Sequence, residues 1–265
     1  MRVYVAGVGL AGPGLAGWQA SMPVLRAEAP YQHAPTAVAA SELLPAAERR
    51  RTGVPVKLAL AVGSEALLNS GCDPAATATV FASSSGDCDN LHQICEALAS
   101  AGREVSPTRF HNSVHNAAAG YWSIAARSRE PSTSLCGHDG SFGVGLLEAA
   151  VQAAVGGRAV ALIAYDHAYP EPLHAVRPIA ASFGAALVLL PAPGSRCMAA
   201  LEVEFVANGG GAAAMADAAL EAVRAGIPAA RSLPLLAALA RGGAHELALE
   251  CGGGAHLALG VAPCA

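Results

Sequence analysis

Charged residues are scarce in this chain of 265 residues, making up 14% of it against 53% hydrophobic residues. This balance argues against an intrinsically disordered chain and predicts a large buried core. The net charge is -4, so no basic surplus favours nucleic acid as a partner. The basic run Arg49-Arg50-Arg51 follows Glu48, and we interpret it as a solvated turn and not as a phosphate site.

Long apolar runs are also missing, because Gly, Pro or a charged residue interrupts each one. A membrane-spanning helix needs about 20 consecutive apolar residues, so we predict no membrane insertion. The seven cysteines include no CxxC pair, which leaves a structural zinc site without support. We read the N-terminal segment as a strand and not as a signal peptide, and expect a cytoplasmic protein with free thiols, no metal and no cofactor.

The periodicity of the apolar residues predicts alternating strands and helices, which is typical of an α/β protein. Predicted strands cover residues 3–8, 79–83, 133–136, 160–165, 182–190 and 199–206, followed by a hairpin at 247–250 and 256–261. Predicted helices cover residues 56–70, 90–101, 112–127, 142–155, 212–225 and 233–241, and residues 19–52 are expected to be irregular. We expect the strands at 3–8, 79–83, 133–136 and 160–165 to form one sheet, and the remaining strands a second one.

A glycine pattern near the N-terminus suggests a dinucleotide-binding loop, since Gly7, Gly9 and Gly12 match GxGxxG. Such a loop must open directly into a helix, whereas Pro13 and Gly14 follow here. We therefore favour glycines needed for a tight turn, and keep a dinucleotide-binding module as an alternative.

The polar run from Cys136 to Ser141, CGHDGS, lies between a predicted strand and a predicted helix. Functional sites often lie at helix N-termini, because the free N–H groups and the positive end of the helix dipole point into this gap. A nucleophilic Cys136 would need a helix N-terminus or a cation such as His138 beside it. Because Cys136 falls inside the predicted strand, we favour a buried, inert thiol. Ser141 is predicted to be the helix N-cap. A catalytic Ser–His–Asp set that includes Asp139 is an alternative, although the sequence has no GxSxG pattern here.

Two histidines upstream, His111 and His115, stand four residues apart and would share one face of a helix. This spacing suits zinc, but the glutamate of an HExxH motif is absent. We prefer the interpretation that these histidines and Asn112 cap and orient the start of a helix.

The order of elements over residues 134–166 resembles the nucleophile region of β-ketoacyl synthases: strand, small-residue elbow, glycine-rich helix, Gly-Gly-Arg turn and apolar strand. Further segments follow that family's order, namely Val5–Gly9, Glu48–Arg51 with Lys57–Ala59, Ser83–Gly86, Phe183–Leu189 and Cys251–His256. The segments SPTRFHNSVHNAAAGYW and ALIAYDHAYPEPL are more specifically similar to small ketosynthase-like proteins of aryl-polyene-type pathways, often called chain-length factors.

This resemblance implies a thiolase-like αβαβα layered fold in one ketosynthase-like domain, residues 1–265, with an N-terminal half at 1–178 and a shortened C-terminal half at 179–265. It places the family's nucleophile at Gly140, or at Ser141 with one shift, so Cys136, His138, Asp139, Gly140 and Ser141 would form a vestigial elbow without a catalytic residue. The family's decarboxylation histidines find no match, because His245 and His256 stand in different surroundings. His111, Asn112, His115 and Phe142 would contact substrate.

The resemblance thus implies a degenerate ketosynthase-like subunit of the chain-length-factor type, active in fatty-acid, polyene or polyketide-like biosynthesis. Because the family dimerises through a central sheet edge, the expected partner is a catalytic ketosynthase or a second copy of this chain. Acyl carrier protein is a further candidate partner. The alternative is a stand-alone acyltransferase or thioesterase that uses Cys136 or Ser141, with His111 or His138 as the base.

Overall fold

Strands and helices alternate along the chain in the computed structural model, which describes residues 1–38, 42–208 and 210–264. The strands are β1 (Arg2–Gly12), β2 (Leu15–Ala16), β3 (Ala78–Ala82), β4 (Ser132–Leu135), β5 (Val160–Asp166), β6 (Phe183–Leu190), β7 (Ala199–Val206), β8 (His245–Gly252) and β9 (Ala255–Ala262). The helices are α1 (Trp18–Leu25), α2 (Ala46–Arg49), α3 (Val54–Ser70), α4 (Cys88–Ala99), α5 (Pro107–His111), α6 (Ala117–Ala126), α7 (Ser141–Gly156), α8 (Leu173–Val176), α9 (Ala218–Gly226) and α10 (Leu233–Arg241). Short 3-10 turns occur at Pro74–Ala76, His138–Gly140 and Pro228–Ser232. This alternation confirms the predicted α/β class.

The strands form one mixed sheet in the order β4-β3-β5-β6-β1-β7-β9-β8, with β2 attached to β1. β3 runs parallel to β4 and β5, and the other neighbours are antiparallel. The prediction of a separate second sheet is wrong. The long strand β1 pairs with β6 on one edge and, through Arg2–Val5, with β7 on the other, which joins all the strands into a continuous sheet.

The two parts of the sheet repeat one pairing pattern. β1 pairs with β6 and β6 with β5, just as β7 pairs with β9 and β9 with β8. In the sheet, the first part continues beyond β5 with β3 and β4, whereas among the described residues no strand lies beyond β8. This repetition agrees with two related halves of which the second is shorter. The division at residue 178 stays a prediction. Strand β6 follows this residue in sequence but pairs with β1 and β5 of the first part.

The core lies on both faces of the sheet, and β5 shows how its residues divide. Leu162 and Ala164 belong to the apolar cluster on one face, which includes Phe142 of α7. Ile163 belongs to the cluster on the opposite face, with Trp122 of α6 and several residues of α3. A strand buried on both faces is continuously apolar, so the run VALIAYD is explained by helices on both sides.

The GxGxxG residues lie inside β1 and not in a loop. A side chain at Gly7 would meet the carbonyl oxygen of Ala66, and one at Gly9 the carbonyl oxygen of Val62. These glycines therefore let α3 pack directly on the β1 backbone, and the tight-turn interpretation is wrong for them. A turn and β2 separate β1 from α1, so the structure gives the dinucleotide-binding alternative no support.

Three helix predictions need correction. The stretch 19–52 is not wholly irregular, because it contains most of α1 and all of α2, although its residues 39–41 lie outside the described residues. The helix predicted at 212–225 begins at Ala218, where the Asp217 carboxylate accepts hydrogen bonds from two backbone N–H groups of the first turn. The helix predicted at 112–127 begins only at Ala117, as α6, and His115 lies in the turn between α5 and α6.

A disulfide joins Cys197 to Cys264, whose Cα atoms lie 6.1 Å apart. The prediction of free thiols is therefore wrong for two of the seven cysteines. The two residues are 67 positions apart in sequence, and the pairing of β7 with β9 brings them together. Among the described residues, no helix is long and apolar enough to span a membrane, and no cluster of three or more His, Cys, Asp or Glu side chains could hold a metal ion.

Gly9→Ala tests the packing of α3 on β1. Because the added methyl group would strike the Val62 carbonyl, we expect the free energy of unfolding to fall by ~3 kcal/mol, the upper part of the usual range for overpacking. The control is Gly120→Ala, since Gly120 lies in α6 with open space around it and alanine favours helix by about 0.5–1 kcal/mol. Urea denaturation of both variants measures the difference, and equal stabilities would contradict the packing argument.

Candidate functional site

The elbow that leads from β4 into α7 is closed by the backbone of β8. A side chain at Gly140 would place its Cβ 2.6 Å from the backbone nitrogen of Gly252 and 2.7 Å from the carbonyl carbon of Cys251. At Gly143, on the first turn of α7, an added Cβ would meet the carbonyl oxygen of Glu250. The position that the resemblance assigns to a nucleophile is therefore filled by main chain from the hairpin of β8 and β9.

The Ser141 hydroxyl is occupied within the elbow itself. Its Oγ accepts a hydrogen bond from the backbone N–H of Gly137 at 3.0 Å and donates one to the carbonyl oxygen of His138 at 2.7 Å. Ser141 is buried and is the first residue of α7, so the predicted N-cap role is wrong and the N-cap is Gly140. Both hydrogen-bond partners are backbone groups and not a histidine ring, so this serine has no base beside it.

Cys136 is exposed, and the prediction of a buried thiol is wrong. Strand β4 ends at Leu135, one residue earlier than predicted, and β4 is an edge strand whose pairing with β3 covers one side only. The Cys136 thiol donates a hydrogen bond to the carbonyl oxygen of Ser84 at 3.1 Å. It lies before the 3-10 turn that precedes α7, and therefore away from the helix N-terminus that could stabilise a thiolate.

Two arginines from distant parts of the chain converge on Asp139. Arg177 binds its Oδ1 at 2.9 Å, and Arg231 binds its Oδ2 at 3.2 Å and also pairs with Glu250 of β8. Burial lowers the pKa of Arg231, an effect that the neighbouring Asp139 opposes. The ion pairs join the elbow to β8 and to the 3-10 turn at Pro228–Ser232. Sequence reasoning missed both arginines, because no local motif marks them.

None of the three histidines His138, His245 and His256 is placed as a base for the elbow. The side chain of His138 is 73% exposed, with its Nδ1 3.6 Å from Asp139 Oδ1. His256 lies in β9 opposite Glu250, and His245, at the start of β8, binds the carbonyl oxygen of Gly242. Among the described residues, no contact joins the imidazole ring of these histidines to the side chain of Cys136 or Ser141.

The four predicted substrate-binding residues do not share one cavity. Phe142 is buried in the core beneath α7. Asn112 donates a hydrogen bond to the Arg51 carbonyl oxygen and accepts one from the Tyr121 hydroxyl. His115 Nε2 lies 3.0 Å from the Ser83 carbonyl oxygen, whereas His111 is exposed beside Tyr121. Their role in substrate binding stays a prediction.

A cleft of about 510 Å³ opens between the starts of α3, α4 and α5. Arg50, Arg51 and Arg109 line it together with Asp87 and Asp89. Arg51 pairs with Glu48 at 3.3 Å and keeps about half of its side chain in solvent, as the predicted solvated turn requires. Burial raises the pKa of Asp87.

Asp166, at the end of β5, is the buried charge-bearing group that sequence reasoning missed. One carboxylate oxygen accepts hydrogen bonds from the Ser84 backbone N–H at 2.9 Å and hydroxyl at 2.6 Å, and the other accepts one from the Ala229 N–H at 2.8 Å. Burial nevertheless raises its pKa to about 6. The sequence signal that could have identified Asp166 is its position directly after the apolar run ALIAY. The carboxylate joins the loop after β3 to the turn at Pro228–Ser232.

Asp166 should make stability depend on pH. Its folded-state pKa of about 6 exceeds its ordinary value of 3.8, so its contribution to the free energy of unfolding is fully present below pH 3.8 and is lost as pH rises through 6. The full change amounts to roughly 3 kcal/mol. We expect Asp166→Asn to flatten this fall between pH 4 and 6.5 in urea denaturation. Asp73→Asn, which changes an exposed cap residue, should leave the fall of stability with pH unchanged. Identical pH profiles for the wild type and Asp166→Asn would contradict the raised pKa of Asp166.

Comparison with known proteins identifies the family. The family model described as "Beta-ketoacyl synthase, N-terminal domain" matches residues 18–247. No curated protein sequence matches the chain.

Solved structures extend the match to the fold. This chain is similar to a chain in the complex of a ketosynthase (ApeO) with its chain length factor (ApeC) from Xenorhabdus doucetiae. The TM-score is 0.73 at 23% identity, and the match covers 98% of this chain and 99% of that chain. The ishigamide ketosynthase/chain length factor gives 0.73 at 15% identity and full coverage of both chains. The complex AntDE:AntF, a type II PKS acyl-carrier protein with its ketosynthase, gives 0.73 at 14% identity and 99% of each chain. These similarities confirm the predicted thiolase-like fold, and with the matched family model they show that the chain belongs to the β-ketoacyl synthase family.

Proposed function

We propose that this chain is a non-catalytic ketosynthase-like subunit of the chain-length-factor type, acting in polyketide-like or aryl-polyene-type biosynthesis in the cytoplasm. The observation that carries the proposal is the closed elbow. Condensation by a ketosynthase requires a nucleophile that holds the acyl chain, and at Gly140 the β8 backbone occupies the space such a side chain would need. The subunit would then contribute walls to an acyl tunnel while its partner performs the chemistry.

The similar structures support this proposal through their composition and length. Two of them are described as a ketosynthase with a chain length factor. This chain spans 99–100% of the matched chains in these two complexes. The correspondence therefore extends over whole subunits.

The stand-alone acyltransferase or thioesterase alternative is not favoured. Ser141 is buried and its hydroxyl is bonded to backbone on both sides. Cys136 is exposed, but its thiol contacts a carbonyl oxygen and not a histidine. Both candidates lack the adjacent base that activates a nucleophile.

We propose the β4 end of the sheet as the surface for the ketosynthase partner. β4 pairs only with β3, so its other edge offers free backbone groups. Beside it packs α6, and the α5–α6 region exposes Phe110 (71%), Val114 (52%) and Ile124 (47%). An apolar patch next to an unpaired strand edge is typical of an interaction surface. A second copy of this chain could use the same surface.

Acyl carrier protein is a further proposed partner. One similar complex contains an acyl-carrier protein with its ketosynthase. In this chain the cleft lined by Arg50, Arg51 and Arg109 offers guanidinium groups, which recognise anionic groups through paired hydrogen bonds. A carrier protein bound at this cleft would deliver its acyl chain to the mouth of the proposed shared tunnel.

The isolated chain should not condense malonyl- and acyl-carrier protein. We expect product only when a catalytic ketosynthase is added, and we expect Gly140→Cys to remain inactive alone because the new side chain collides with the backbone of β8. Product formation from loaded carrier proteins, followed by mass spectrometry, measures this. Turnover by the isolated wild type that Cys136→Ala abolishes would refute the proposal and identify Cys136 as the nucleophile.

The partner surface can be tested separately. Phe110→Glu and Ile124→Glu should weaken co-purification with the ketosynthase by at least tenfold, because each places a charge in the proposed apolar contact. Phe205→Glu is the matched control, since Phe205 is 51% exposed on β7, beyond β1 in the sheet. Equal loss of binding in all three variants, or none in the first two, would contradict this location.

A further inference from the structure

The disulfide between Cys197 and Cys264 links two specific places in the fold. Cys197 lies in the turn between β6 and β7, and Cys264 follows the end of β9. The last register pair of the β7–β9 ladder joins Ala200 to Ala262. The bond therefore lies just beyond the end of that ladder, where paired strands are most prone to separate.

The Cys197 side of the pair is held firmly by the first part of the sheet. The neighbouring Arg196 donates hydrogen bonds from Nη1 to the carbonyl oxygens of Leu68 at 3.1 Å and Asn69 at 3.3 Å, at the end of α3. On the other side, the backbone N–H of Met198 donates to the carbonyl oxygen of Val5 in β1 at 2.7 Å. The bond thus ties the end of β9 to a turn that is fixed on α3 and β1.

The bond encloses the whole second part of the sheet. The 67-residue separation between the two cysteines includes β7, α9, α10, β8 and β9. A cross-link across a long segment restricts the unfolded chain and so stabilises the folded one. Because β8 closes the elbow at Gly140, the same segment also carries the backbone that fills the nucleophile position.

We propose that Cys197 and Cys264 form a reversible thiol–disulfide site, which fixes the second part of the sheet to the first according to the redox state of the surrounding thiols. Free thiols in a cytoplasmic setting are normally kept reduced, and disulfides found there are usually redox-sensing or transient. Because the proposed function places the chain in the cytoplasm, the pair is a variable link and not a permanent one. Cys72, Cys88, Cys95, Cys136 and Cys251 remain free in the structure.

The chemistry balances with glutathione disulfide as the oxidant. One protein thiolate attacks glutathione disulfide, which gives a mixed disulfide and releases one glutathione thiol. The second protein thiolate then displaces the other glutathione. One Cys197–Cys264 S–S bond forms, the two protein thiols are oxidised, and glutathione disulfide is reduced to two molecules of glutathione. Excess glutathione reverses both steps.

The first test counts thiols in the full chain. After equilibration with glutathione disulfide, denaturation and maleimide labelling, we expect five labelled cysteines, with Cys197 and Cys264 in one cross-linked peptide. Treatment with dithiothreitol should give seven. Seven labelled cysteines after oxidation, or a cross-link between other residues, would overturn the proposal.

The second test measures what the bond does. Reduction should lower the melting temperature of the wild type by about 5–15 °C and should increase hydrogen exchange most at residues 257–262 of β9. Cys197→Ser and Cys264→Ser should each melt like the reduced wild type whatever the redox buffer. Cys95→Ser, at an exposed free cysteine, should keep the redox dependence. A redox-dependent melting temperature that persists in Cys197→Ser, or none in the wild type, would refute the proposal.

Discussion

The close approach of the β8 backbone to the start of α7 is the contact on which the rest of this structure depends. It requires glycine at two places, Gly140 and Gly143, because any side chain there would collide with the main chain between Glu250 and Gly252. The contact brings the second part of the sheet onto the elbow of the first. Arg231 then reinforces it by pairing with Asp139 of the elbow and Glu250 of β8. The packing of the two parts thus leaves no room for a side chain at Gly140 or Gly143.

Polar groups at the elbow end of the sheet serve structure more than chemistry. Asp166 has three strong hydrogen-bond donors around it, all from Ser84 and Ala229. A buried carboxylate needs such partners, since an unpaired one would be costly to desolvate. Here the partners belong to two separate loops, so the charge fixes their positions. These contacts therefore hold the loop after β3 and the turn at Pro228–Ser232 in place at the end of β5.

The two ends of the sheet differ in what they offer to other molecules. At one end β4 leaves a strand edge free, beside the exposed Phe110 and Ile124. The second part of the sheet instead carries the cross-link between Cys197 and Cys264, which holds β9 to the turn before β7. The surface proposed for the partner and the cross-link therefore lie in separate regions. A change in the thiol pair should consequently alter stability without removing the partner surface.

Local pattern was enough to predict the α/β class and most strands, because apolar periodicity is a property of the sequence alone. The family was predicted from the resemblance of the quoted segments. The assignment of the family's nucleophile position to Gly140 came from the resemblance and stays a prediction. Tertiary structure decided the rest. The pairing of β1 with both β6 and β7 made one sheet where two were expected, and gave Gly7 and Gly9 a packing role instead of a turn. The convergence of Arg177 and Arg231 on Asp139, the exposure of Cys136 and the Cys197–Cys264 bond all depend on segments far apart in the chain. Such contacts leave no local periodic signal, so only the folded arrangement could determine them.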